Sequence, residues 1–206
     1  MIRNIVFDMG NVLLKYHPMT ACLRHAQNEA DAKAVFEALF MAKEWEEKLD
    51  GCFITEAEML EIAQSRLESP EQKTLCAEIF EDFHTDALTP VEGMEEVLSR
   101  LKDRGFGLYL LSNVGERIYQ FRRKIPCHDR FDGFLFSGEE HLLKPDPAIF
   151  ERFCERFGVA AAECLFVDDR SQNIEAAVSV GMEGYLFEAF PVEALKKFVE
   201  ALPSPA

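Results

Sequence analysis

Positive charge is scarce in this chain. Its 22 Lys and Arg stand against 37 Asp and Glu, a formal net charge of −15 at pH 7. Nucleic acid and anionic membrane surfaces both reward a basic face, so neither is expected as a partner. No apolar run approaches the roughly 18 residues of a helical membrane span. The opening MIRNIVFDMGNVLL sets Asp8 inside its apolar stretch, which is not the pattern of a secretory leader, so a cytoplasmic location is expected. The six cysteines (22, 52, 76, 127, 154 and 164) form no CxxC pair and no zinc-like spacing. They are expected to be free thiols in a reducing compartment, with Cys154 and Cys164 acting as small buried hydrophobes. The five histidines show no paired spacing for a metal. A single tryptophan, Trp45, is expected to bury itself between helices.

The chain does have enough apolar material for a core. At 206 residues and 48% hydrophobic, a chain of this size buries roughly 70% of its unfolded surface and needs no disulfide or metal staple. Five short apolar runs stand out: NIVFD (4–8), GLYLLS (107–112), GFLFS (133–137), CLFVD (164–168) and GYLF (184–187). None alternates with period two, as expected of strands buried on both faces of a parallel sheet. Helical stripes separate most of them. One runs from Val91 through Met94, Val97, Leu98 and Leu101 and closes at Gly105. A second holds Ile149, Phe150, Phe153, Cys154 and Phe157 and closes at Gly158. A third joins Val192, Leu195, Val199 and Leu202 ahead of Pro203, with the last four residues expected to fray. The pattern predicts an α/β fold with a doubly wound parallel sheet. Residues 15–86 interrupt it with helical patterns alone, around 31–48, 55–67 and 71–84. The domain expectation is therefore an α/β core of residues 1–14 and 87–206 with a helical cap at 15–86.

In open α/β sheets the ligand lies beyond the carboxyl ends of the strands. There the sequence places Asp8 with Gly10 and Asn11, Ser112 with Asn113, Lys144 before Pro145, and the pair Asp168-Asp169. Each alone has an ordinary reading as a cap or turn residue. Together they supply a carboxylate nucleophile, a hydroxyl, a cation and a carboxylate pair along one sheet edge.

IVFDMGNVL, LLSN, LLKPDP and LFVDD, in this order and with a helical insert after the first, resemble the four motifs of the haloacid-dehalogenase-like hydrolase superfamily. The form with Gly-Asn-Val after the nucleophile is similar to a subgroup that includes a sugar-1-phosphate phosphatase. The resemblance implies a Rossmann-like core with a C1-type cap, and a phosphatase that works through an aspartyl-phosphate with Mg²⁺. It implies catalytic roles for Asp8, Ser112 and Lys144, and phosphoryl binding by Ser112, Asn113 and Lys144. It also implies metal binding by Asp8, the Gly10 carbonyl and Asp169, with Asp168 auxiliary. The partner expected is a small-molecule phosphate, and the assembly a monomer or weak homodimer.

One position departs from the family pattern. A second Asp normally follows two residues after the nucleophile and serves as general acid and base, and here that residue is Gly10. Proton transfer of this kind is worth about 10²–10⁴-fold. Substrates with good leaving groups are therefore expected to be favoured, unless another group such as His17 stands in. The bland reading of His17, packing at the cap hinge, is the stronger one. Arg117, Arg122 and Arg123 are read as solvated helix residues without a role. Two other functions remain open in the sequence: a metal-independent 2-haloacid dehalogenase, against which the carboxylate pair argues, and a phosphate- or partner-binding module that has lost turnover.

Overall fold

The computed structural model describes residues 1–188 and 192–205. In chain order the strand β1 (Asn4–Phe7) leads through a tight turn to β2 (Leu14–Tyr16). Helices α1 (Pro18–His25) and α2 (Glu29–Leu39), one π-helical turn (Trp45–Leu49), α3 (Glu56–Ser65) and α4 (Pro70–Ala87) follow. Then come β3 (Leu88–Pro90), α5 (Met94–Asp103), β4 (Gly107–Ser112), α6 (Ile118–Phe121), β5 (Gly133–Phe136) and α7 (Ser137–Glu140). The chain closes with α8 (Pro147–Phe157), β6 (Cys164–Asp168), α9 (Ser171–Ser179), β7 (Glu183–Leu186) and α10 (Glu193–Ala201). Among the described residues no helix is long and apolar enough to cross a membrane.

The five strands read in the sequence make one sheet in the order β5-β4-β1-β6-β7, parallel throughout. Their uniform apolarity has a direct cause. Successive side chains point to opposite faces, and both faces of the central strands are covered, whereas the edge strand β7 is largely exposed. Ile5 and Phe7 of β1 pack in one cluster with Met94, Val97, Leu98 and Leu101 of α5 and Leu195 and Val199 of α10. Val6, between them in sequence, packs on the other face with Ile149, Phe150 and Phe153 of α8 and Ala177 of α9. The helix ends follow the expected chemistry: Gly105 and Gly158 take φ of +88° and +63° just past α5 and at the end of α8, conformations that cost a residue with Cβ. The end of α10 is held by Arg104, which reaches one residue of the tail beyond it. Arg104 donates to the Val199 carbonyl (2.6 Å), to that of Leu202 and to Ser204 Oγ (3.4 Å). Ala206 lies outside the described residues. Cys154 is half-buried rather than buried, while Cys164 is buried, and all six cysteines are free thiols.

The cap helices have their own core of Val35, Leu39, Met59, Ile79, Phe80 and Phe83. Two N-caps punctuate these helices. Ser69 caps α4 by accepting from Gln72 N, with Pro70 at its first position, and Thr55 forms a capping box with Glu58 ahead of α3. The pair β2 and β3, three residues each and antiparallel, is not legible as strands in the sequence. These two strands carry the chain out to the cap helices and back. Trp45 is buried at 9% exposure, its ring centroid 5.0 Å from Phe40, 5.9 Å from Phe80 and 5.4 Å from Phe83. Trp45→Ala would leave a large void among rings that cannot collapse, so a loss of about 3–5 kcal/mol is expected in denaturant unfolding. A loss below about 1 kcal/mol would show that the cap core does not depend on this side chain.

Candidate active site

The connections run from β1 to β4 and β5 on one side of the sheet, then return to β6 and β7 on the other. The strand order therefore reverses between β1 and β6, where α/β folds open a crevice at the carboxyl ends. Asp8 follows β1 there, its N–H bonded to Val167 O at 2.9 Å, and Asp168 ends β6. A cavity of about 1230 Å³ lies over this edge. Asp8, Gly10, Ser112, Asn113, Lys144 and Asp169 all line it, together with residues from the cap.

Lys144 is the electrostatic centre. It is 5% exposed, and its Nζ donates to Asp8 Oδ1 and to Asp168 Oδ2, both at 2.7 Å. Its Nζ lies over the Phe166 ring, 5.2 Å from the centroid. Burial pulls the Lys144 pKa down, but Asp8 and Asp168 outweigh that and hold it above the usual lysine value, so the group is charged at neutral pH. Asp8, 8% exposed, is pushed up to about 6, chiefly by burial, with Asp168 adding to the rise and Lys144 opposing it. Asp169 is raised by burial and by Asp168, against a hydrogen bond from Asn11.

Carboxylate oxygens of Asp8, Asp168 and Asp169 lie within 4.8 Å of one another, a hard-oxygen donor set of the kind that suits Mg²⁺. The three are not equivalent. Asp168 is fully buried, and its oxygens already accept from Lys144 Nζ, Arg170 N (2.8 Å) and Asn173 Nδ2 (3.0 Å to each oxygen). It anchors Lys144. Asp8 and Asp169 keep the freer oxygens. Burial raises the energy of these crowded carboxylates, and a divalent cation would lower it.

Three asparagines complete the site, and the sequence singles out a role for Asn113 alone. Its side chain clasps the Lys144 backbone in both directions, Nδ2 donating to Lys144 O (2.9 Å) and Oδ1 accepting from Lys144 N (2.8 Å). Asn11 holds a positive φ of 55°, which asparagine tolerates better than most residues. It accepts from Tyr16 N at 3.2 Å and bonds Asp169. Asn173 escapes the sequence reading, though a polar side chain on the packed face of α9 is a signal. Ser112 is buried at the end of β4. His17 is exposed and does not line the cavity; its N–H donates to Ala87 O at 2.8 Å, a hinge contact. Arg117 is buried, not solvated. It ion-pairs with Glu56 of α3 (2.8 Å) and Glu81 of α4 (3.5 Å) and lies 4.2 Å from the Phe80 ring centroid, fastening the cap to the core.

A parallel α/β sheet that brings an aspartate, a buried lysine and an acidic pair together at its switch point has the make-up of a hydrolase site. The chain belongs to the haloacid dehalogenase-like hydrolases, whose family pattern matches residues 2–181. It is 27% identical over 186 residues to the sesquiterpene phosphatase astK of Aspergillus oryzae, covering 87% of this chain and 86% of that protein. It is 26% identical over 190 residues to the (S)-2-haloacid dehalogenase 4A of Burkholderia cepacia, covering 87% and 80%. Its fold also matches a HAD family enzyme from Bacteroides thetaiotaomicron, crystallised as an aspartate-to-alanine variant with magnesium and inorganic phosphate. There the TM-score is 0.69 at 22% identity, over 93% of this chain and 96% of that one.

Proposed function

We propose that this protein is a Mg²⁺-dependent phosphatase that hydrolyses the phosphomonoester of a small metabolite through an aspartyl-phosphate on Asp8. The observation that carries the reading is the Lys144 ammonium 2.7 Å from Asp8 and Asp168, with Asp169 beside them. A dehalogenase needs no metal, so a third carboxylate at this point would only destabilise its site. Asp8 would attack phosphorus and divide the displacement into two steps. Ser112 and the Asn113 N–H would hold the phosphoryl oxygens, and Lys144 would neutralise the charge they share in the transition state. Asp8, the Gly10 carbonyl and Asp169 would hold the metal, which supplies further charge neutralisation at the phosphoryl group.

The cavity wall also bears on the substrate. Apart from Lys144, its arginines are engaged: Arg117 with Glu56, and Arg170 with Glu46 at 3.4 Å. Glu46 and Glu116 add negative charge, and Trp45, Phe53, Ile54 and Leu143 add apolar surface. A leaving group with its own anionic charge would be repelled, so a neutral body, sugar-like or terpenoid, is the better fit. Release of phosphate from such monoesters is expected to exceed that from bisphosphates and phosphorylated acids by at least about tenfold, the equivalent of 1.4 kcal/mol. Preference for the anionic bodies would overturn this. Chloride release from 2-chloropropionate without metal would favour the dehalogenase instead.

Metal binding can be read without turnover. A cation present at about 100 times its Kd adds about 2.7 kcal/mol, which for a domain of this size raises Tm by roughly 5–10 °C. The shift is expected with Mg²⁺ and should be absent in Asp169→Asn. An equal shift in both proteins would remove Asp169 from the ligand set.

A further inference from the structure

The phosphatase reading leaves the proton donor to the leaving group unassigned. A Cβ built on Gly10 would meet nothing nearer than Asp8 Oδ2 at 4.0 Å, so the space beside residue 10 is open cavity. Asp50 lines the same cavity. It closes the π-helical turn of the cap, its N–H bonded to Trp45 O at 3.0 Å, and single π turns recur at functional sites.

This turn is fastened to the core beside the phosphoryl-binding loop. Ser137 is fully buried; its Oγ donates to Asp50 O at 2.6 Å and accepts from Val114 N at 2.8 Å. His141 Nδ1 donates to Gly51 O at 3.0 Å. Two glycines permit the approach. A Cβ on Gly138 would stand 2.7 Å from Cys52 Sγ, and one on Gly115 would stand 3.0 Å from Leu49 O. Val114 and Gly115 directly follow Ser112-Asn113, so the backbone of Asp50 is fixed relative to that loop.

Its surroundings favour the protonated form. Burial first, then the negative charges of Glu46 and Asp8, push the Asp50 carboxyl well above the usual carboxylate range. Tyr16 of β2 faces it and is itself raised well above the usual phenol value by burial and by Asp50, so it stays neutral. Arg170, from the loop after β6, is paired with Glu46, and His141, just past α7, is bonded to the neighbouring carbonyl. Two carboxyl groups are thus driven to different tasks: Asp8, beside Lys144, as the nucleophile, and Asp50 as the acid.

We propose that Asp50 is the catalytic acid and base of this hydrolase, a carboxyl delivered by the cap in place of the side chain that Gly10 lacks. The proposal rests on the phosphatase reading above. In the first step Asp8 Oδ forms a bond to phosphorus as the bond to the leaving oxygen breaks. That oxygen takes the Asp50 proton and departs as the alcohol, leaving Asp50 ionised. In the second step Asp50 takes a proton from water as the water oxygen attacks phosphorus. The bond to Asp8 then breaks, phosphate is released and both carboxyl groups return to their starting states. Because the acid comes from the cap, proton transfer is available only while the cap turn is seated on Ser137 and His141. The good-leaving-group preference expected from Gly10 alone would then disappear.

The test is kcat/KM for a series of aryl to alkyl phosphates with Mg²⁺, in the parent, in Asp50→Asn and in Asp50→Asn carrying Gly10→Asp. For the parent a shallow dependence on leaving-group pKa is expected. In Asp50→Asn, kcat/KM for alkyl phosphates should fall about 10²–10⁴-fold while that for aryl phosphates changes little. Its kcat should fall for both classes, because the second step has lost its base. Gly10→Asp should restore at least about a tenth of the alkyl value, a rescue that a merely structural role for Asp50 would not show. A uniform loss across the series, or no loss, overturns the assignment while leaving the phosphatase intact. No aryl phosphate hydrolysis by the parent overturns both.

Discussion

Asp8→Asn is expected to lower phosphomonoester turnover by at least about 10⁴-fold, since the covalent route is lost and only binding and charge stabilisation remain. The variant should fold as well as the parent or better. The amide keeps the carboxyl shape and can still accept from Lys144, and it removes one charge from a buried site where burial and Asp168 already resist ionisation. The sign of the pH dependence follows from the same cause. With Asp8 raised to about 6 in the fold and near 4 when unfolded, the native state holds the extra proton between those values. Parent stability should therefore fall as pH rises from about 4 to about 6, and the Asn variant should lack that contribution. Phosphate release and calorimetry across pH measure both effects. Residual turnover within about tenfold of the parent would mean that Asp8 is not the nucleophile.

Lys144→Met should be the most damaging single change to activity and stability together. The methionine fills the space of the lysine stem, but Asp8 and Asp168 lose the ammonium that lies 2.7 Å from each. Breaking a buried ion pair by removing one partner costs about 3–5 kcal/mol, because the remaining charge is left uncompensated. Asp168 retains Arg170 N and Asn173, which places the cost at the lower end of that range. Turnover should fall at least about 10²–10³-fold with the loss of a charge aimed at the transferring group. The stability deficit should shrink as pH drops towards about 4. There Asp8, which burial already raises and which has lost the opposing ammonium, takes up a proton that the unfolded chain does not yet bind. An unfolding free energy equal to the parent's at neutral pH would contradict the central place given to this lysine.

The central strands can be read directly because a strand covered on both faces is apolar along nearly its whole length, and such runs are rare in a chain with 29% charged residues. The helices are legible from their stripes and their glycine stops. The hinge strands β2 and β3 are not, because three residues are too few to show a period. Arg117 reads as a solvated helix residue in the sequence and is buried in the fold. Its partners Glu56 and Glu81 come from cap helices 61 and 36 positions away, and sequence spacing says nothing about them. His17 draws attention because it is near the nucleophile in sequence. The group that the fold brings to the cavity is Asp50, whose contact with Ser137 spans 87 positions.

The sequence by itself determined which atoms are available: a carboxylate nucleophile position, a lysine, an acidic pair, and a glycine where a proton donor is usual. It also determined the sheet that presents them, since burial on two faces leaves no other role for those runs. Tertiary structure alone decided how these groups divide the work. Lys144 lies 136 residues from Asp8 in the chain, and only their convergence in a buried cleft makes one aspartate an anchor for the lysine and gives another the place of the proposed nucleophile and a cap residue that of the proposed acid. The physical reason is that burial and neighbouring charge set which carboxyl is ionised, and both are properties of the folded surroundings rather than of the residue.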